Sequence, residues 1–201
     1  PAWGRFGYLK QNLVDAVRAT AAKYDLKIDI STDASDAIYG DSWYKFLASA
    51  RYTIGAESGS SLLDRDGDIT ARVNAYLATH PDASFDDVER VCFPGIDGHL
   101  HLGVLGPRHL EACATRTYQI LIRGDYNGLL KAGIHYIPVE PDLSDLDAVL
   151  SSLEDEKRRL QIVQNAFEDI VQPRKITYEA FVEKVLEKSF FPELLSLRTS
   201  I

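Results

Sequence analysis

The chain has 201 residues, 22 Lys+Arg against 30 Asp+Glu, a formal net charge of −8, two cysteines and no methionine. That length holds one ordinary domain, or two very small ones, with a sizeable core, and its 45% hydrophobic and 26% charged residues exclude disorder and fibrous repeats. The acidic balance argues against a nucleic acid polymer or an anionic membrane as main partner, and no apolar run reaches the roughly 18–20 residues of a membrane span.

The start, Pro1-Ala2-Trp3-Gly4-Arg5, is neither a signal peptide nor an initiator context, and a chain without Met reads as the back part of something longer. Cys92 and Cys113 allow at most one disulfide, so two reduced thiols in a cytosolic compartment are expected. Cys113, within Glu111-Ala112-Cys113-Ala114, is expected to be buried and structural.

In chain order, Leu9, Leu13, Val14 and Val17 recur at helical spacing and predict a helix over 8–24. Leu26-Lys27-Ile28-Asp29-Ile30 alternates and predicts a strand closed by Ser31-Thr32-Asp33. Residues 42–48 predict an aromatic-rich helix capped by Asp41 or Ser42, and Arg51 to Gly55 a second strand. Helices follow at 69–79 and 84–92, the latter opened by Ser84 with Asp86 and Asp87 in its first turn. A loop-rich stretch punctuated by Pro94, Gly95, Gly98, Gly103, Gly106 and Pro107 leads to a helix over 108–116, a strand over 118–122, a turn over 124–128 and a strand over 135–139. Helices at 144–153, 155–171 and 177–190 complete the pattern. Strands alternating with helices predict one α/β domain, Rossmann-like and three-layered with a mostly parallel sheet. It carries a loop- and helix-rich insertion over about 62–106 and a helical C-terminal segment over 144–201.

Four constellations bear on chemistry. Gly55-Ala56-Glu57-Ser58-Gly59-Ser60-Ser61 follows a predicted strand, where small residues let backbone N–H groups approach an anion; the same residues also suit a plain flexible turn. Asp64-Arg65-Asp66-Gly67-Asp68 invites a metal reading, but the EF-hand positions for Gly and Glu are Ile69 and Ala75, and a solvated turn has the same composition. His99 and His101, two apart, would share a strand face and could join Asp64 or Asp66 at a metal, yet they lack the paired helical spacing of specific zinc motifs. Gly106-Pro107-Arg108-His109-Leu110-Glu111 is the strongest. A proline-led helix start offers its positive dipole end to an anion, Arg108 offers a planar fork to a diphosphate, and Glu111 one turn on suits two ribose hydroxyls; an i, i+3 surface ion pair is the other reading.

At this element the chain resembles a known family. Arg108-His109-Leu110-Glu111-Ala112-Cys113-Ala114-Thr115 with Gln119-Ile120-Leu121-Ile122 resembles the Glu-Ala-x-Ala-x-Gly helix and following strand of GT-B glycosyltransferases. It is more closely similar to bacterial enzymes of surface-polysaccharide assembly with the pattern Pro-Arg-x-Phe-Glu-Ala. His135-Tyr136-Ile137-Pro138-Val139 through Asp142, Leu146, Asp155 and Arg158-Arg159, then Thr177-Tyr178-Glu179-Ala180-Phe181, resembles their C-terminal portion. The resemblance covers about residues 40–188.

It implies one half of a GT-B fold that binds a nucleotide-sugar donor, with Glu111 on the ribose and Arg108 on the diphosphate. Glu57, Ser58, Gly59 and Ser60 would line the donor sugar or phosphates, and Tyr126 and Asn127 the mouth of the same cleft. It further implies a saccharide or lipid-linked acceptor, an acceptor-binding N-terminal half that this chain lacks, no metal or other cofactor, and a cytoplasmic enzyme, free or peripheral at the inner membrane face. Where many retaining members carry an additional Glu eight residues before the ribose Glu, this chain has Gly103. No catalytic residue is assigned. The rival expectations are a non-catalytic Rossmann-like nucleotide-binding or interaction module, and a metal-dependent enzyme using His99 and His101 with Asp64 or Asp66.

Overall fold

A computed structural model describes residues 1–189. In chain order it contains α1 (Gly4–Ala21), α2 (Asp41–Ser49), β1 (Tyr52–Gly55), β2 (Ser58–Ser60), α3 (Asp68–Thr79), α4 (Phe85–Cys92), β3 (Leu102–Val104) and α5 (Pro107–Ala114). There follow β4 (Tyr118–Ile122), β5 (Ile137–Val139), α6 (Leu146–Ser151), α7 (Glu156–Ala166) and α8 (Tyr178–Ser189). Strands β1, β4 and β5 form a parallel sheet in the order β1-β4-β5, with Ile54 opposite Ile120 and Ile120 opposite Ile137.

All five residues of β4 are buried, as a central parallel strand covered on both faces requires. Their side chains alternate between the two faces. Tyr118, Ile120 and Ile122 join Ile137 and Val139 against Leu13 and Val17 of α1 and Leu146, Val149 and Leu150 of α6. Leu121 packs on the other side with Cys113 of α5, Tyr126, Leu130 and Tyr136. The result is a three-layer α/β domain. Helix α7 belongs to both outer layers: Ile162 and Val163 lie in the first cluster, whereas Ala166 and Ile170, the latter in the π-helical turn that extends α7, lie in the second. Its start is fixed at the amino end of the sheet, where Arg51 pairs with Glu156 and the Tyr52 hydroxyl donates to Leu153 O at 2.8 Å.

Residues 62–93 build a core of their own from Leu62, Ile69, Val73, Phe85, Val88, Cys92 and Phe93. Helix α4 opens on a full capping box, in which Ser84 Oγ accepts from Asp87 N at 3.2 Å and the Asp87 carboxylate accepts from Ser84 N at 3.3 Å. Ser84→Ala is expected to cost about 1 kcal/mol, read as a shift in the urea midpoint at unchanged slope.

Several elements differ from the sequence expectation. Helix α1 starts at Gly4, one turn before Tyr8. The alternating segment Leu26–Ile30 joins no ladder: Leu26 and Ile30 pack on the sheet core, but its backbone is tied to α1, with Leu26 N donating to Ala21 O and Arg18 to Ile30 O at 2.6 Å. Alternation gave it an apolar side without an edge to pair with. The Gly/Ser stretch after β1 is in part a strand, since β2 pairs antiparallel with β3, and the end of the expected insertion is thereby bonded back to the domain. Strand β5 starts at Ile137, leaving His135 in the preceding turn, and the helix expected over 144–153 narrows to α6 with a short 3₁₀ turn after it. Helix α8 buries no residue. The last residue of the helix expected at 177–190, and the end of the C-terminal segment, lie outside the described residues.

Candidate functional site

Parallel strands leave the carboxyl ends of β1 and β4 together on one edge, and the segments leaving β1 and entering α5 meet there. Gly106 caps α5 in an extended conformation and Pro107 takes the first helical position, where its missing N–H costs nothing. Arg108 therefore supplies the first free amide of the helix as well as a guanidinium. Ser58 lies against this end: a side chain added at Gly106 would stand 3.2 Å from Ser58 Oγ. Lys10, from the middle of α1, donates to Ser58 Oγ at 2.9 Å.

Lys10 and Arg108 have no carboxylate partner among the described residues. Desolvation and, secondarily, the Arg108 charge lower the Lys10 pKa from its ordinary value. In a chain of net charge −8, two cations without carboxylate partners, a hydroxyl and the start of a helix lie close enough together for the Arg108 charge to act on Lys10. That arrangement disfavours itself unless an anion joins it.

The third side chain of the element, Glu111, sits one turn along α5. Its carboxylate accepts from Trp43 Nε1 at 2.7 Å, and the Arg108 guanidinium lies over the same indole, 5.1 Å from the ring centroid. Trp43 reaches across because α2 is anchored beneath it, with Leu47 buried and Leu47 O accepting from Thr117 Oγ1 at 2.9 Å.

Glu57 is buried and faces inward. Its two carboxylate oxygens accept from Asp125 N at 3.2 Å and Tyr126 N at 2.8 Å. The turn that follows β4 packs so close that a Cβ at Gly124 would lie 2.4 Å from Glu57 Oε2. Glu57 therefore holds the turn rather than a ligand. Ser60 is likewise spent internally, donating to Trp3 O at 2.9 Å and also to Leu62 O. Gly59 makes room for β3, since a Cβ there would stand 1.7 Å from Leu102 O. Tyr126 differs most from expectation: fully buried, with its hydroxyl on Ile122 O at 2.7 Å, it forms part of the core rather than a cleft mouth. Asn127 is exposed, and its Oδ1 accepts from Leu105 N at 2.7 Å. Of the expected binding residues the structure thus brings together Arg108, Glu111 and Ser58, and adds Lys10 and Trp43.

His109 lies beneath this edge, between Ala56 O at 3.2 Å and Gln119 Oε1 at 3.3 Å, with its ring edge-on to Tyr126. Burial lowers its pKa below 6.5 against the opposing pull of those two hydrogen bonds. A depressed histidine pKa means that the unfolded chain takes up the proton first, so this group's contribution to stability is present above about pH 6.5 and is lost as the pH falls. His109→Gln is expected to flatten the decline in urea midpoint between pH 7.5 and 5.5; an unchanged decline would remove His109 as its source. Cys113, donated to by Gln119 Nε2 at 3.3 Å, has its thiol pKa raised by burial to about 12, which makes it a structural residue.

The residues of the metal expectation are not gathered. Asp64 caps α3, accepting from Ile69 N and from Thr70 N and Oγ1, while the His101 ring meets Phe6 edge-on at 4.3 Å. Among the described residues no three His, Cys, Asp or Glu side chains are placed to share a metal. No described helix is long and apolar enough to cross a membrane.

Two open clefts, of about 360 Å³ beside Gly133 and α7 and about 400 Å³ between Phe6 and Asp97, include neither Lys10 nor Arg108. No family model matches the chain, and no curated protein or solved structure matches it.

Proposed function

We propose that the chain is the donor-binding half of a GT-B glycosyltransferase that moves a sugar from a nucleotide-sugar to an acceptor hydroxyl in cell-surface polysaccharide synthesis. The observation that carries this reading is the convergence of unpaired Lys10 and Arg108 with Ser58 and the α5 amide end, one turn from a carboxylate at Glu111. A diphosphate suits the first group and a ribose diol the second, at the spacing one helical turn imposes.

In the transfer, the acceptor oxygen attacks the anomeric carbon and the bond to the diphosphate breaks. Negative charge grows on the departing phosphate oxygens. Lys10 and the helix amide would face that charge as it develops, and Arg108 would reach it from its place over the Trp43 ring, so that charged donors stabilise the leaving group. Stabilisation of the leaving group by these donors requires no metal. In this reading a second, acceptor-bearing lobe completes the site. Such an enzyme would work in the cytoplasm, free or at the inner membrane face, where nucleotide-sugars are made.

Isothermal calorimetry with UDP, GDP, CDP and dTDP tests the reading. Saturable binding of at least one is expected, weakened about tenfold or more in Glu111→Ala. Failure of all four to bind the native chain would return it to a module without nucleotide chemistry.

A further inference from the structure

Trp43 holds both polar side chains of α5 at once: its ring face carries Arg108 and its N–H carries Glu111. Each contact occupies the group that the nucleotide reading needs free. A guanidinium prefers an indole face when no anion is at hand, and exchanges it for a phosphate with which it can make two charged hydrogen bonds. A ribose hydroxyl can replace the indole N–H on Glu111 in the same way. Both exchanges leave the half-buried indole bare beside the bound nucleotide, on a helix that does not move with it, because Leu47 and Thr117 pin α2 to the sheet layer.

We infer that Trp43 is the nucleoside-recognising residue: it keeps Arg108 and Glu111 in place while the site is empty and stacks on the nucleoside once they have turned to the diphosphate and ribose. This rests on the nucleotide reading and goes beyond it, because it assigns recognition of the aromatic base to a residue outside α5. Stacking accepts any base, so the residue confers a preference for nucleotides over bare diphosphate rather than for one base.

The chain has two tryptophans, and the exposed Trp3 is replaced first by Trp3→Phe so that emission reports Trp43 alone. In that background, Arg108→Ala is expected to change the emission of the free protein, and a nucleoside diphosphate to change that of the native site. Trp43→Ala should weaken nucleoside diphosphate binding at least tenfold while inorganic pyrophosphate binds within twofold of the native chain. Trp43→Phe, which keeps a ring and loses the N–H, should retain nucleotide affinity within threefold. Equal losses for pyrophosphate and nucleotide would show a merely structural residue and overturn the inference. So would nucleotide binding with unaltered emission and unaltered affinity in Trp43→Ala, leaving the nucleotide reading intact. If neither nucleotide nor pyrophosphate binds the native chain, both fall together.

Discussion

A chain carrying Lys10→Ala with Arg108→Ala is expected to lose nucleoside diphosphate affinity by about 10²–10³-fold and to melt no earlier than the native protein. Each charged hydrogen bond to a phosphate is worth about 1.5–3 kcal/mol, or about 10–150-fold. The double loss should fall short of the sum, because the two cations repel each other in the free site and removing one relieves the other. The same repulsion explains the expected stability: neither side chain has a carboxylate partner, so their removal strands no buried charge, and the exposed contacts given up, Lys10 on Ser58 Oγ and Arg108 on the Trp43 ring, are offset by relief of the repulsion. Calorimetry at two salt concentrations with a thermal melt decides it. Lost affinity accompanied by a lowered melting temperature would mean that the cations serve the fold, and unchanged affinity would place the anion elsewhere.

Gly59→Ala is expected to produce the second large effect, on stability. The added Cβ meets the Leu102 carbonyl oxygen at 1.7 Å, and backbone on the paired strand cannot swing aside as a long side chain would. Relief requires β2 and β3 to part where Gly59 sits opposite Gly103, at a cost of about 3 kcal/mol or more. Ser58 is the neighbouring residue of β2, so nucleotide affinity should fall as well. An unfolding midpoint within error of the native value would show that the ribbon has more freedom than its register allows.

Some of this was legible in the sequence. A glycine and a proline ahead of Arg108 announced the start of α5, because the chemistry of a helix start is local. The strand at 118–122 was visible from its β-branched and aromatic residues, and the one expected over 135–139 is present as β5 in its last three residues. Long-range pairing was not. The alternation of Leu26–Ile30 is real, yet alternation describes one side chain after another and says nothing of a partner edge. Glycine at 59 was read as space for an anion, whereas the space is taken by β3, 43 residues further on in the chain. The resemblance set Tyr126 at a cleft mouth, but Glu57, on the segment that leaves β1, accepts from the backbone of that turn, and the Tyr126 side chain is buried in the core. Lys10 was passed over for the same reason. A lone lysine on an amphipathic helix is ordinary, and only the fold brings Ser58 and Arg108 beside it.

Helix α7 touches both apolar clusters that sandwich the sheet, so neither outer layer can open without disturbing the same helix. The layers are therefore bound into one unit, and the apolar cluster of α3 and α4 is tied to it through α1, where Tyr8 stacks on Phe85 and Arg5 pairs with Asp86 and Glu89. Lys10 and Arg108 come from α1 and α5, on opposite sides of the sheet. Their spacing is thus set across the sheet by two layers that α7 holds together, so a change in α7 packing reaches both cations at once.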